Sequence, residues 1–253
     1  MPQYFLNMKT LIILFFSTLL YSQTHNNYTN VIYKAKYATE NYQVGAATAN
    51  AAQINEIEKM YIESYPKLEY KLIFDNEQSI FTTIDKMEFA KDMYCKLAQT
   101  SINTNSAFYI NFKTKQKINQ FDFQGHKSNI NVSREKFDWV ITRESSIIQG
   151  LKSYKATTQK TNPAGFGEPA TTMGVEAWFT PEIPTSTGPV GFEGLPGLIL
   201  SVSYNNIIVY ASKIEKNISA EIKPPFAMKT FDSEEAFTKD FEKIFDEIKN
   251  KSK

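Results

Sequence analysis

The chain has 253 residues, of which 42% are apolar, 14% aromatic and 22% charged; this is enough to build a packed core and excludes disorder throughout. Lys plus Arg number 28 and Asp plus Glu 27, and Lys9 is the only charged residue among the first 23, so 27 of each sign remain beyond them and no net field argues for nucleic acid. One cysteine and two histidines exclude a zinc site built from those ligands, a haem thioether pair and an intramolecular disulfide.

At the N-terminus, Met8-Lys9, the apolar run Leu11 to Leu20 and the small polar Ser22-Gln23-Thr24 follow the order of a secretory signal peptide. The run is half of the roughly 20 residues that span a bilayer, so the expectation is a signal at 1–23, cleaved near Gln23, and one domain at 24–253 with no transmembrane segment. Residues 1–7 carry no charge, which leaves Met8 as an alternative start. Cys95 lies far from the apolar run, so lipid attachment through an N-terminal cysteine is not expected. It reads as a small buried hydrophobe, the alternative being an intermolecular disulfide.

Along the mature chain, Val31, Tyr33, Ala35 and Tyr37 alternate with Ile32, Lys34 and Lys36, the period of a half-buried strand. After a loose Ala/Asn/Thr stretch at 45–52, Ile54, Ile57, Tyr61 and Ile62 recur at helical spacing. Leu68 to Phe74 and Ser79 to Ile84, joined by Asp75-Asn76-Glu77, predict a hairpin. Residues 86–97 fit a helix among strand-like neighbours. Phe108, Ile110 and Phe112 pair with Lys117 to Phe123 in a second hairpin, and Gly125-His126-Lys127 marks a turn. Trp139 to Thr142, Ile147-Ile148 and Leu151 to Thr157 predict three short strands, with a Pro/Gly loop at 162–169. Val175 to Thr180 alternates, as does Leu198 to Tyr204, which returns through Asn205-Asn206 into Ile207 to Ile214. Finally Phe237, Phe241, Ile244, Phe245 and Ile248 form one stripe on a helix, with Asp232 and Glu235 as its capping box. About ten hairpin-spaced strands with few helices imply a mainly β fold of the α+β kind: a single large antiparallel sheet, curved or half-barrel, with peripheral helices including the C-terminal amphipathic one.

Between 181 and 197 the chain concentrates Pro181, Pro184, Pro189 and Pro196 with Gly188, Gly191, Gly194 and Gly197, so this loop is shaped rather than slack. Leu195-Pro196-Gly197-Leu198 has the residues of a type II turn feeding the strand that starts at Leu198. It reads first as a structural corner; the functional alternative is a rigid loop presenting Glu182, Thr185, Ser186 and Glu193 around a cleft.

The run Gly194-Leu195-Pro196-Gly197-Leu198-Ile199, preceded by Ala177-Trp178-Phe179-Thr180-Pro181-Glu182-Ile183-Pro184 and Gly188-Pro189, resembles the signature of the GLPGLI family of exported bacterial envelope proteins. Upstream, Trp139, Ile148-Gln149-Gly150 and Lys155-Ala156-Thr157 resemble the strands that precede it. Ser153 departs from the cysteine expected at its place in that family, so the resemblance implies no disulfide here. It does imply export in Gram-negative bacteria; it supplies no catalytic residues. The signature residues are thus Trp178, Pro181, Pro184, Gly188, Pro189, Gly194, Leu195, Pro196, Gly197 and Leu198.

Catalytic constellations are thin. No Gly-x-Ser-x-Gly elbow or His-Glu-x-x-His helix occurs, and His126 reads as a solvated turn residue. Glu176 and Glu182 flank Trp178 and Phe179, a combination seen in sugar-binding clefts. Asp75, Asn76 and Glu77, and separately Asp232 to Glu235, are oxygen-rich without an EF-hand loop. The 19 Phe and 14 Tyr describe either an aromatic core or the lining of an apolar cavity. The leading expectation is an exported, periplasmic or surface-associated non-enzymatic binding protein without cofactor or metal, its partner a protein or apolar ligand of the envelope. One alternative is a carrier holding a lipid or other apolar ligand in a half-barrel. A second is a secreted hydrolase, which requires Glu176, Glu182, His126 or Asp122 to converge.

Overall fold

The computed structural model describes residues 27–38, 51–86, 92–102, 106–123, 126–133, 136–162, 164 and 169–251. Their centre is one open sheet of twelve strands: β1 (Tyr28–Tyr37), β2 (Glu69–Phe74), β3 (Gln78–Thr83), β4 (Ser106–Asn111), β5 (Gln116–Phe123), β6 (His126–Asn131), β7 (Val140–Ile148), β8 (Leu151–Asn162), β9 (Thr171–Thr180), β10 (Leu198–Tyr204), β11 (Ile207–Ile218) and β12 (Lys229–Phe231). Their spatial order is β12-β6-β5-β4-β3-β2-β1-β11-β10-β9-β8-β7. Every pairing is antiparallel except β12 with β6, which makes the sheet mixed. Three helices accompany it: α1 (Ala51–Ile62), α2 (Met93–Ile102) and α3 (Glu234–Lys251).

Hairpins build most of this order from local turn chemistry. Gln149 and Gly150 both take positive φ (53° and 75°), as do Asn205 and Asn206 (48° and 60°), the two-residue turn whose twist matches that of the strands it joins. Between β2 and β3 the Asp75 carboxylate accepts the backbone N–H groups of Glu77 and Gln78 at 2.7 and 2.8 Å. The non-local step is β1, which lies between β2 and β11 with Tyr33 opposite both Tyr70 and Ala211.

Alternation then sorts the side chains. One face carries Val31, Tyr33, Ala35, Tyr70, Leu72, Phe81, Phe108, Ala177, Phe179, Val202 and Val209 into the main core. That face is covered by the 3-10 turn at Tyr65–Lys67, by Cys95, Ala98 and Ile102 of α2, and by Ile183, Val190, Phe192 and Leu195 of the Pro/Gly segment. Two buried phenols brace this core: Tyr33 of β1 donates to the Ile199 carbonyl of β10 at 2.7 Å, and Tyr204 ties the sheet to α2 by donating to the Ile102 carbonyl at 3.0 Å. Burial pushes both hydroxyls far above the usual tyrosine range, so they stay neutral donors. On the opposite face Tyr28, Ile73, Ile80, Tyr109 and Ile118 form a smaller cluster under Ile218, Ala220 and Ile222. On the face that carries Phe108, Phe121 meets Phe237 and Phe241 of α3 at ring separations of 5.1 and 5.5 Å.

Several sequence expectations need correction. His126 and Lys127, expected in a turn with Gly125, instead open the strand at 126–131, whose alternation polar Lys127 and Asn129 hid. The three short strands expected between 139 and 157 are two long ones, and β7 contains two residues more than β8 between Ile141 and Ser145, a bulge that breaks the pattern without ending the strand. Ala51 and Ala52 belong to α1 rather than to a loose connection; the rest of that stretch lies outside the described residues, as do residues 87–91 of the expected helix and most of 162–169. Helix α3 is capped by Ser233, whose hydroxyl accepts the Ala236 N–H at 3.2 Å, not by Asp232.

Candidate functional site

The Pro/Gly segment leaves β9 at Thr180, crosses the end of the main core and returns as β10 at Leu198. It is fixed by contacts that admit no extra atom. A Cβ at Gly197 would lie 2.1 Å from the Thr180 carbonyl oxygen, and one at Gly188 would lie 2.6 Å from Cβ of Ile199. Backbone bonds pin it to its neighbours: Leu198 N–H donates to Ile183 O at 3.0 Å and Ile199 N–H to Thr187 O at 3.1 Å. The Thr187 and Ser79 hydroxyls meet at 3.0 Å, joining the loop to β3. Val190 holds φ 57° within the turn Pro189–Gly191, a conformation a β-branched residue adopts only when its surroundings impose it.

The turn at Leu195-Pro196-Gly197 is not the expected type II. The Gly197 N–H bonds to the Leu195 carbonyl at 2.9 Å, which closes a three-residue turn, and Gly197 has φ 154° rather than the value near 80° that type II requires. Its close approach to Thr180 sets that geometry. The corner delivers Leu198 into β10 as expected.

Beneath residues 182–186 opens a cleft of about 450 Å³, lined by the ends of several strands and the β2–β3 turn. Glu182, Thr185 and Ser186 face Asn27, Thr29, Asp75, Asn76 and Lys216 across it, with Phe112, Ile183 and Pro184 as apolar wall. Glu182 is oriented by the Lys152 N–H, which donates to its Oε1 at 2.7 Å. Ser186 accepts the Gly194 N–H at 3.0 Å. Asp75 is engaged in its own turn, and Lys216 is exposed with no ion-pair partner among the described residues. The cleft therefore offers two carboxylates, one ammonium, two carboxamides and hydroxyls in one recess, a set suited to hydrogen-bonding a polar ligand. A smaller recess of about 300 Å³ lies beside Lys160, Met173, Val190, Phe192 and Tyr204.

Three of the four loop residues expected to frame a cleft thus do so. The fourth, Glu193, turns away into an ion pair with Lys117 at 2.8 Å, both side chains 16% exposed, and its carbonyl accepts the Trp139 indole N–H at 2.8 Å. Trp178 is half-buried on the opposite face, between Lys155 and Ser201 in register. There Lys155 bonds Glu176 at 3.1 Å and Glu144 at 3.4 Å, and these carboxylates hold its ammonium above the usual lysine range. Pro181, Pro184, Gly194 and Pro196 are exposed, whereas Gly188, Pro189, Leu195, Gly197 and Leu198 are buried.

The residues named for hydrolysis do not converge: Glu176 is on β9, Glu182 in the cleft, and Asp122 on β5, seven strands from β9, with the His126 backbone opening β6 beside it. Among the described residues no group of His, Cys, Asp or Glu is placed to hold a metal ion, and Asp232 to Glu235 starts a helix. Large aromatic side chains fill the core face, and neither recess is a closed apolar chamber. Among the described residues no helix is long and apolar enough to cross a membrane. Asn27, Thr29 and Lys216 had no signal as a site in the sequence, and Asp75 and Asn76 read only as an oxygen-rich turn, since the start of β1, the β2–β3 turn and the end of β11 meet only in the fold.

No curated protein matches the chain in sequence. Among solved structures it resembles PNGF-II: the P21 crystal form superimposes with a TM-score of 0.52 at 15% identity over 85% of this chain and 33% of the other, and the C2 form with 0.49 at 15% over 85% and 32%. At that identity the likeness is one of fold, and the chain spans about a third of PNGF-II's length. A family model described as "Protein of unknown function (Porph_ging)" matches residues 167–201. That stretch runs through β9 and the whole Pro/Gly segment into β10, the same residues that roof the cleft.

Proposed function

We propose that the chain is an exported, non-enzymatic binding protein of the Gram-negative envelope, of the GLPGLI type, and that its ligand lies in the cleft under residues 182–186. One observation carries the reading. A loop locked by glycine contacts and a strained Val190 presents Glu182, Thr185 and Ser186 to an open polar recess, and preorganisation of this kind lowers the ordering cost of binding. The ligand is polar, able to meet the Lys216 ammonium at one side and the Glu182 carboxylate at the other.

The test is capture on immobilised protein from envelope extract, with mass spectrometry of bound proteins and small molecules. A species retained by the wild type and released by the double variant Thr185→Tyr with Lys216→Glu, at unchanged melting temperature, is the expected result. Equal retention by both overturns the cleft assignment. Export is read separately: protein recovered from cells should begin near Thr24, and an intact residue 1 or 8 on envelope-fraction protein overturns it.

A further inference from the structure

The two edges of the sheet differ. On one side β12 has only three residues, Lys229–Phe231, and α3 packs beside it. On the other side β7 runs for nine residues, of which seven are exposed, among them Val140 at 65%, Ile141 at 50% and Ile147 at 67%. A long edge carrying β-branched side chains in water is a template for another strand, and natural sheets normally shorten, charge or cover such an edge. The two charges of β7 do little of this: Arg143 and Glu144 sit in the bulge, and Glu144 leans back onto Lys155 at 3.4 Å.

The register of β7 on β8 shows which strand fits. Val140 and Ile141 stand opposite Thr157 and Ala156, and Ser145, Ser146, Ile147 and Ile148 stand opposite Tyr154, Ser153, Lys152 and Leu151. Tyr154 is the middle of that run, so Ser145 is the middle of the edge. A two-fold axis perpendicular to the sheet, midway between Ser145 and the same residue of a second copy, pairs Ile141 with the partner's Ile147 and Val140 with the partner's Ile148. Directly opposite residues of an antiparallel pair project from the same face, and both pairs satisfy this because their members are an even number of residues apart. Apolar side chains then meet apolar ones, a small serine meets its own copy, and the bulge with its charges falls opposite the partner's Ser146 rather than opposite its own copy.

We infer that β7 is an interface for a second copy of this chain, joining two molecules through one continuous antiparallel sheet. The symmetry is closed: each copy uses its single long edge, and the short β12 edge leaves nothing for a third copy to extend, so the assembly stops at a dimer instead of growing into a fibre. This inference stands apart from the cleft, which lies at the end of the core face.

Sedimentation of the purified protein over a concentration series should give a dimer. Ile147→Lys, at a position exposed in the monomer, should weaken that dimer by about tenfold or more with the melting temperature of the monomer unchanged. Ser145→Cys should form an intermolecular disulfide on mild oxidation, since opposed antiparallel Cα atoms lie about 4.5–5.5 Å apart, within disulfide reach; native Cys95 is fully buried and does not compete. Lys229→Cys, on the other edge, is the control. A monomer at the highest attainable concentration, a dimer indifferent to Ile147→Lys, or cross-linking of Lys229→Cys as fast as Ser145→Cys each overturns the inference. So does a monomer that pairs through β7 only with a foreign strand.

Discussion

Each face of the sheet is crossed by an irregular segment, and the two are held by different physics. Residues 181–197 lie on the core face and are held by shape: apolar side chains point inward, and glycines stand where a Cβ would collide. Residues 219–228 lie on the other face and are held by hydrogen bonds. There the buried Asn129 carboxamide donates to the Pro225 carbonyl at 2.7 Å, Gln120 donates to the Phe226 carbonyl at 2.8 Å, and the Met228 N–H donates to Lys127 O at 3.2 Å. In this second segment Ile222 packs inward, but the largest side chains face water, Phe226 at 82% and Met228 at 70% exposed. Steric locking tolerates no added atom, whereas carboxamide locking tolerates almost any side chain on the outside but not the loss of the amide beneath.

That contrast sets an order of effects. Gly197→Ala should be the most damaging single change, because a Cβ 2.1 Å from a backbone oxygen cannot be relieved by a rotamer; a loss of about 3 kcal/mol is expected from overpacking and backbone strain, read as a fall in denaturant midpoint. Asn129→Leu should come second, at about 2 kcal/mol, through the carbonyl and amide it leaves unpaired in a buried place. If Asn129→Leu proves the more costly, the contrast between the two segments fails.

Smaller effects sharpen it. On the core-face cover, Asp92 caps α2 by accepting the Tyr94 and Cys95 N–H groups at 2.9 and 3.1 Å. Those bonds, the one to Cys95 first, hold its carboxyl below the usual aspartate range. Asp92→Ala should therefore cost about 1 kcal/mol at neutral pH. With the folded value depressed, this stabilisation is complete above the unfolded aspartate pKa, near 4, and is lost as pH falls through the folded value. The melting temperatures of wild type and variant should converge on acidification; a constant gap would show that the carboxylate charge is not what caps the helix. Phe226→Ser should be least costly, within about 0.5 kcal/mol of wild type. A larger loss in thermal melting would mean that the ring packs on something despite its exposure.

The fold was legible where one residue pattern met one environment. Strands β1, β2, β9, β10 and β11 each bury one face under an element, so their alternation is clean and their limits were found to within a few residues. Helix α3 was equally plain from its apolar stripe. Strand β6 was missed because its buried positions include Asn129, an amide held inside by the segment above it, and burial of that kind leaves no hydrophobic trace. The Pro/Gly segment was recognisable as a rigid corner, and Glu182, Thr185 and Ser186 as its presented groups. The opposite wall of the cleft was not, since Thr29, Asn76 and Lys216 become neighbours only through pairings far apart in sequence. The type II turn failed for a related reason: local residue preference was overridden by the Thr180 backbone across the gap.

The placement of β1 has a consequence for how the molecule reaches this state. The strand nearest the N-terminus lies between β2 and β11, and Tyr28 is opposite Ile218. The halves of the sheet cannot be joined until most of the chain is available. Contacts of such sequence separation are entropically costly to close and slow folding. A chain with this topology keeps the two halves of its sheet apart through most of its synthesis, and the pairing of β11 with β1 joins them only in a late step.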